Sequence, residues 1–365
     1  PLFSLYMSHK GLSDLEIGIV VSASTLASLM PIALLGLYSD LIANREALQC
    51  IIGIFLAAIA PLYLYASNLA SFLLLHPLYM SLLYSYMTLS GAIAMDYITS
   101  RRGGVFGRFR TSGAVGWVLG TLMSGYLADT LGFNSVFTVA PAVFMASALL
   151  YGYGGLKHRG LQNVRQGRRV GISTILKVLL NRRVYPLLAS VFTASLSNPA
   201  YYAFLPLYMT QELGASPLIS SLAFTITPFA EIPAMLYLGA VSDRVGRLRV
   251  ILTCLAAYPA RFLLTAFSPS QVHAIAVQLF HGLTFGGLYV VSTAYLSESV
   301  EEGERGFALS LYTISMNTGN VIGSYFLAYT LTLSGFRSMY IIAAIISSLS
   351  IPILLFLEHR YSGRR

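Results

Sequence analysis

The sequence predicts an all-α membrane protein assembled from two copies of one half-molecule, and two observations carry that expectation. Of the 365 residues 56% are hydrophobic and 10% charged, with a mean hydropathy of +0.70; soluble domains carry about 25% charged residues. The phrase Gly36-Leu-Tyr-Ser39-Asp40 recurs as Gly239-Ala-Val-Ser242-Asp243, 203 residues later. The same offset pairs Gly11 with Gly214, Ser13 with Ser216, Arg102 with Arg305, Gly116 with Gly319, Gly120 with Gly323 and Gly132 with Gly335. Apolar composition alone does not align glycines and charges, and pseudo-symmetric halves are characteristic of transport folds.

A helix needs about 20 apolar residues to cross the hydrocarbon core. Division at polar and turn-forming points predicts eleven spans: 16–39, 46–66, 69–95, 109–130, 134–155, 184–210, 216–241, 249–267, 271–297, 306–332 and 337–357. The repeat sets residues 1–7 opposite 204–210, the end of a helix that begins near Val184. The first of twelve helices is therefore expected to be largely missing from the chain, and the spans are counted 2 to 12. Two six-helix bundles follow, 1–156 and 184–365, joined by a basic linker over 157–183 whose segment 172–180 has an apolar stripe and is expected to lie as a short interfacial helix.

Charge orients the spans, because short cytoplasmic loops collect Lys and Arg. The even-numbered connections, the linker and the C-terminal tail hold 20 of the 23 basic residues; Lys10 and Arg337 lie on the opposite face and Arg261 within a span. This predicts a multi-pass protein of the cell membrane with its termini and linker cytoplasmic. The net charge of +9 is then topogenic and lipid-facing rather than a nucleic-acid surface. Cys50 and Cys254 fall in different halves, so no disulfide is expected. No metal-ligand spacing, cofactor motif or nucleophile–base pair is apparent, and the short external loops leave no soluble domain for catalysis. The expected partners are a small organic solute, protons and lipid, with the monomer as the working unit.

After a long helix, Gly-x-x-x-Asp-Arg-x-Gly-Arg places a small residue where helix ends approach, then an acid and basic residues at the cytoplasmic mouth. Gly239, Asp243, Arg244, Gly246 and Arg247 fill that pattern. Gly36 and Asp40 begin it, but the first copy then reads Leu41-Ile-Ala-Asn44-Arg45. The pattern resembles the signature loop of the major facilitator superfamily. The likeness continues in Phe106-Gly107-Arg108-Phe109-Arg110-Thr-Ser112-Gly113-Ala114-Val-Gly116-Trp117, preceded by Asp96, and in Gln278-Leu-Phe-His281-Gly282-Leu-Thr284-Phe285-Gly286. These runs are similar to those of the branch that contains phenylpropionate permeases, nucleoside/proton symporters and lactose-permease-like carriers; Ser112 and Ala114 depart from it. The resemblance implies a major facilitator fold of two six-helix bundles with a gate at Gly36, Asp40, Asp96, Arg110, Gly239, Asp243, Arg244, Gly246 and Arg247.

Three ionisable residues fall deep within the C-terminal spans: Glu231 in span 8, Arg261 in span 9 and His281 in span 10. An unpaired charge at mid-membrane costs at least ~2.5–3.5 kcal/mol, so such groups pair and face cavities. Arg261 is the fixed cation, Glu231 its natural counterion, and His281 a group able to donate, accept or titrate. Together they form a candidate proton-coupling centre. Lactose-permease-like carriers place Glu, Arg and His on the same three spans, but the acid that follows their histidine by three residues is Thr284 here. Helical spacing gathers candidate solute-binding residues: Asn198 and Tyr202 on span 7, Thr227 on span 8, Gln278 and Tyr289 on span 10, Asn317 and Asn320 on span 11, and His76 on span 4. The expected activity is alternating-access symport of a nucleoside, sugar or aromatic acid with protons. Proton-coupled efflux and a non-transporting sensor built on the same fold are the alternatives.

Overall fold

The computed structural model describes residues 2–38, 44–97, 102–157, 177–178 and 181–362. The N-terminal half contains α1 (Phe3–His9), α2 (Asp14–Tyr38), α3 (Arg45–Ile59), α4 (Leu69–Tyr97), α5 (Arg102–Thr130) and α6 (Phe133–Lys157). Then follow α7 (Val184–Ser195), α8 (Pro199–Tyr202), α9 (Leu205–Gln211), α10 (Pro217–Thr225), α11 (Thr227–Val245) and α12 (Arg247–Ala266). The chain ends in α13 (Gln271–Val277), α14 (Leu288–Ser299), α15 (Arg305–Ser348) and α16 (Ser350–Ser362). No strand occurs among the described residues. Of the predicted linker helix only Lys177 and Val178 are described, and they are helical; the rest of 172–180 lies outside the described residues.

Eight helical stretches among the described residues are long and apolar enough to cross a membrane, against eleven predicted spans, and the difference has three physical sources. The stretch Glu302–Leu357 has 56 residues, about 84 Å at 1.5 Å per residue, and so holds two crossings broken at Gly335, whose φ is 77° and ψ 173°. Helix α5 begins seven residues before the predicted 109, inside the charged run Arg102–Arg110, which dilutes its apolar character. The predicted helix 184–210 is in fact three pieces, α7 to α9. Pro199 and Pro206 stand in the first turns of α8 and α9, where they cannot donate to Ser195 and Tyr202 and so end the preceding helix.

The repeat survives as conformation. Gly11 and Gly214 have φ of 89° and 63°, and Gly132 and Gly335 have 82° and 77°, a left-handed backbone that favours glycine. Equivalent turns of the two halves thus use equivalent glycines.

By internal packing the chain divides into two compact units, one of residues 1–8, 13–22 and 170–365, the other of 9–12 and 23–169. In the first, α2 lies so close to α15 that a Cβ on Gly18 would collide with Ala328 Cβ, and the Ser22 hydroxyl donates to the Val321 carbonyl. Further along α15, a Cβ on Gly319 or Gly323 would run into the carbonyl of Phe192 or Leu196. Lys177 Nζ bridges Glu301 and Glu304 at 2.6 and 2.9 Å, holding the linker's end on the turn before α15. In the second unit α3 packs on α6 through Gly53, Gly152 and Gly155, and an aromatic cluster of Tyr63, Phe72, Tyr79 and Phe137 fills the interior beside them.

Gly323→Ala is expected to lower the thermal unfolding midpoint of the purified protein, by the overpacking cost of about 1–3 kcal/mol. At its repeat partner Gly120, a Cβ would have no described atom of its unit within 4 Å. Gly120→Ala should therefore leave the midpoint unchanged or raise it, since alanine is the better helix former by about 1 kcal/mol.

Candidate functional site

The site is built where α11 and the segment after α13 meet backbone to backbone. Pro228 cannot donate to the Phe224 carbonyl, so the helix breaks between α10 and α11, and the Thr227 hydroxyl takes that acceptor at 2.9 Å. Facing this break, Gln278–Phe280 forms a 3-10 turn and Gly282–Gly287 a π turn. A Cβ on Gly282 would meet the Ala230 carbonyl oxygen at 2.5 Å, and one on Gly286 would meet Glu231 Cα at 3.2 Å. Glycines thus let His281 reach the helix that carries Glu231.

Arg261 projects from α12 into this seam and is 3% exposed. Its Nε and Nη2 both donate to Gln278 Oε1, at 3.2 and 2.7 Å. Its Nη1 contacts His281 Nδ1 at 2.8 Å and Thr284 Oγ1 at 3.1 Å. The guanidinium carbon stands 4.2 Å from the centre of the Tyr201 ring, a cation–π contact that gains strength away from water. Gln278, His281 and Thr284 are all buried. Residues three apart eclipse in a 3-10 turn, which sets His281 beneath Gln278 and aims both at one guanidinium.

The second imidazole nitrogen, His281 Nε2, lies 3.2 Å from Glu231 Oε1. A guanidinium has only donors and stays protonated, so the Arg261 contact requires a lone pair on Nδ1. The imidazole is then neutral, with its proton on Nε2, donating to Glu231. The expected Glu231–Arg261 pair is therefore extended by an imidazole between its members. The Glu231 side chain is 20% exposed, the most open member of the set.

An aromatic ladder runs from this centre. The His281 and Phe285 rings stack at 5.3 Å and 3°, Phe285 and Tyr289 at 6.2 Å and 14°, and Tyr312 meets Tyr289 edge-on. Tyr202 approaches His281 edge-on at 6.1 Å. Tyr202 and Tyr289 are each 41% exposed, whereas Tyr201 is buried.

The other predicted solute residues divide. Asn198 Nδ2 donates to Asn320 Oδ1 at 3.2 Å, which ties span 7 to α15; but α7 ends before Asn198, so Asn198 and Tyr202 do not continue one regular helical face. Asn317 is half-buried on α15. Gln278 has both amide ends engaged, by Arg261 and by the Ala274 carbonyl at 2.8 Å, and Thr227 is buried. His76 belongs to the other unit, where its Nδ1 meets the Tyr63 hydroxyl at 2.8 Å. Tyr201 and Thr284, as partners of Arg261, do not emerge from the sequence. Thr284 had a signal, a hydroxyl at the spacing where the resemblance implies an acid.

The second copy of the repeated phrase forms a charge cluster. Gly246, with φ of 95°, turns the chain between α11 and α12. Arg247 Nη2 then bridges Asp243 at 2.5 Å and Glu298, on α14, at 2.8 Å. Asp40 lies outside the described residues, and at Gly36, Asp96 and Arg110 only the helical backbone is described.

Apolar helices of membrane-spanning length, turns repeated between the halves and a buried, liganded cation fit a multi-pass membrane protein. The sequence profile described as the MFS_1 like family matches residues 1–342, and the chain belongs to that family of major facilitator superfamily transporters. It is 24% identical to the maltose permease of Geobacillus stearothermophilus, covering 99% of this chain and 90% of the permease. It is also 24% identical to sugar efflux transporter A of Escherichia coli strain K12, covering 95% and 88%. The crystal structure of the nucleoside transporter NupG shares its fold at a TM-score of 0.76, with 15% identity, 98% of this chain and 93% of that one covered.

Thr284→Val removes one acceptor from Arg261 at nearly constant shape and should destabilise by about 1.5–3 kcal/mol, the worth of a hydrogen bond to a charged group. Thr284→Ser should retain most of the stability. Thermal unfolding of the purified protein checks both.

Proposed function

We propose that the chain carries a small organic solute across the cell membrane by alternating access, driven by protons entering with the solute. The observation that carries this reading is the order Glu231–His281–Arg261, with the acid at the accessible end and the fixed cation sealed at the other. Ionised Glu231 accepts a charge-assisted hydrogen bond from His281 and balances Arg261 through the ring. Protonated, it accepts only a neutral and weaker bond. One proton on one carboxylate therefore changes how firmly α11 is held to the His281 segment, and that difference biases two conformations.

The solute side of the reading rests on exposure. A solute meets Glu231 and the faces of Tyr202 and Tyr289 before it meets Arg261. A carboxylate beside aromatic rings suits a ring-bearing, hydroxyl-rich neutral solute, a sugar or nucleoside in preference to an aromatic acid. The names of the maltose permease, the sugar efflux transporter and the nucleoside transporter agree with that class. The remaining parts of the proposal are a gate at Asp243, Arg244 and Arg247 with its counterpart at Asp40, cytoplasmic termini, and bundles over 1–156 and 184–365 joined by the 157–183 linker. Export is the second reading, favoured by the efflux relative, and the direction of the gradient that drives movement separates the two.

In proteoliposomes a transported sugar or nucleoside is expected to accumulate about tenfold per unit of imposed pH gradient at one proton per solute, since one unit is worth about 1.4 kcal/mol. Glu231→Gln should abolish accumulation while keeping counterflow exchange of solute. Equal accumulation with and without the gradient, together with full accumulation by the glutamine variant, would sink the proton-coupled reading.

A further inference from the structure

Where α11 gives way to α12, a cleft of about 610 Å³ is lined by Arg183, Arg244, Arg247 and Arg249 together with Asp243 and Glu298. That volume lies within the range of small-ligand sites. Arg247 already engages both acids, through Nη2 to each and Nε to Glu298 at 3.2 Å, and its Nη1 is taken up by Ser242 and Gly239. The other three arginines are exposed, and among the described residues no carboxylate pairs with any of them. Four cations against two anions leave the cleft with a surplus of two positive charges.

Basic residues that only set topology have no need to converge, since their effect depends on which side they occupy. These come from separate segments, one before α7 and one at the α11–α12 turn, and line one concavity. Three exposed guanidinia thus line one concavity with no described carboxylate bound to them, and an anion seated there would supply the missing counter-charge. Each guanidinium presents a planar fork of donors that matches the oxygens of a phosphate. The position adds a second argument. Helix α12 begins here and α11 and α14 end here, and these three belong to stretches long and apolar enough to cross a membrane, so the cleft lies at their common end, where lipid headgroups would be met.

We propose that this cleft is an anion site for a phosphate group, supplied by a phospholipid headgroup or by free phosphate, with Arg183, Arg244 and Arg249 as its ligands. The site is separate from the Glu231–His281–Arg261 centre and stands whether or not that centre couples protons.

The test is native mass spectrometry of the full chain released from mixed phosphatidylglycerol and phosphatidylcholine. It compares wild type, the triple variant Arg183→Gln/Arg244→Gln/Arg249→Gln, and a control with the same charge loss elsewhere, Lys10→Gln/Arg305→Gln/Arg337→Gln. Wild type and control are expected to keep one phosphatidylglycerol that the cleft variant loses, with phosphatidylcholine retention alike in all three. A parallel arm measures the thermal midpoint in lipid-free detergent with millimolar phosphate against chloride of equal ionic strength. A phosphate-dependent rise in wild type but not in the cleft variant assigns the site to free phosphate, and lipid retention without that rise assigns it to a headgroup. Equal behaviour of wild type and cleft variant in both arms overturns the proposal, as does an equal loss in the control. If the triple variant elutes aggregated, Arg244→Gln and Arg249→Gln singly carry the same comparison, and a triple Arg→Lys variant reports whether the forked geometry or charge alone is needed.

Discussion

A guanidinium that cannot shed its proton must be kept inside a bundle of apolar helices, and the arrangement around Arg261 follows from that demand. Its four hydrogen bonds to side chains go to Gln278, His281 and Thr284, all neutral acceptors, and its face lies against Tyr201. Neutral ligands satisfy the donors but leave the charge. The balancing carboxylate, Glu231, is set one imidazole away, and the donor-only chemistry of arginine fixes which nitrogen of His281 holds the proton. In the proposed mechanism the net charge of the whole set is decided at Glu231, its most exposed member.

That set depends on a close approach between backbones. The π turn Gly282–Gly287 presses on Ala230 and Glu231 where any side chain at 282 would collide with a carbonyl. Pro228 and the Thr227 hydroxyl shape the opposite wall. A π turn stores an extra residue in a helix and marks places where geometry serves something other than regular packing. Here it serves contact, because a regular helix at ordinary spacing would hold His281 further from Glu231. Chemistry and helix packing thus share one seam, so a change in the hydrogen bond is felt directly by the contact between two helices.

Much of this was legible in the sequence. The duplication, the all-helical membrane class and the three deep ionisable residues followed from composition, the 203-residue offset and charge within apolar runs, since a charge in hydrocarbon is too costly to be incidental. What could not be read was anything set by departures from the regular helix. Helical spacing puts Gln278 on a solute-facing stripe, yet the 3-10 turn delivers its amide to Arg261. The same spacing puts Asn198 and Tyr202 on one face, yet Pro199 interrupts it. Thr284 registers in the sequence as the lack of an acid, and only the structure shows its hydroxyl as a ligand of the cation. A period of 3.6 residues is the ruler of sequence reading, and the site sits where prolines and glycines break it.

The repeat sharpens what remains. The two halves reproduce their turns at Gly11 and Gly214 and at Gly132 and Gly335, with the same unusual backbone. They do not reproduce the polar set: 203 residues before Glu231, Arg261, Gln278 and His281 stand Ser28, Ala58, Leu75 and Leu78. The signature loop is unequal in the same direction, since the position matching Gly246 is Ala43. Duplication therefore accounts for the frame and for none of the ionisable centre. In the proposed mechanism this inequality is what makes a single proton effective. A titrating pair present in both halves would add equal terms on both sides of the pseudo-symmetry and leave the preference between opposite conformations little changed. A centre confined to one half, with serine, alanine and leucine at the equivalent sequence positions of the other, enters the balance once and with one sign.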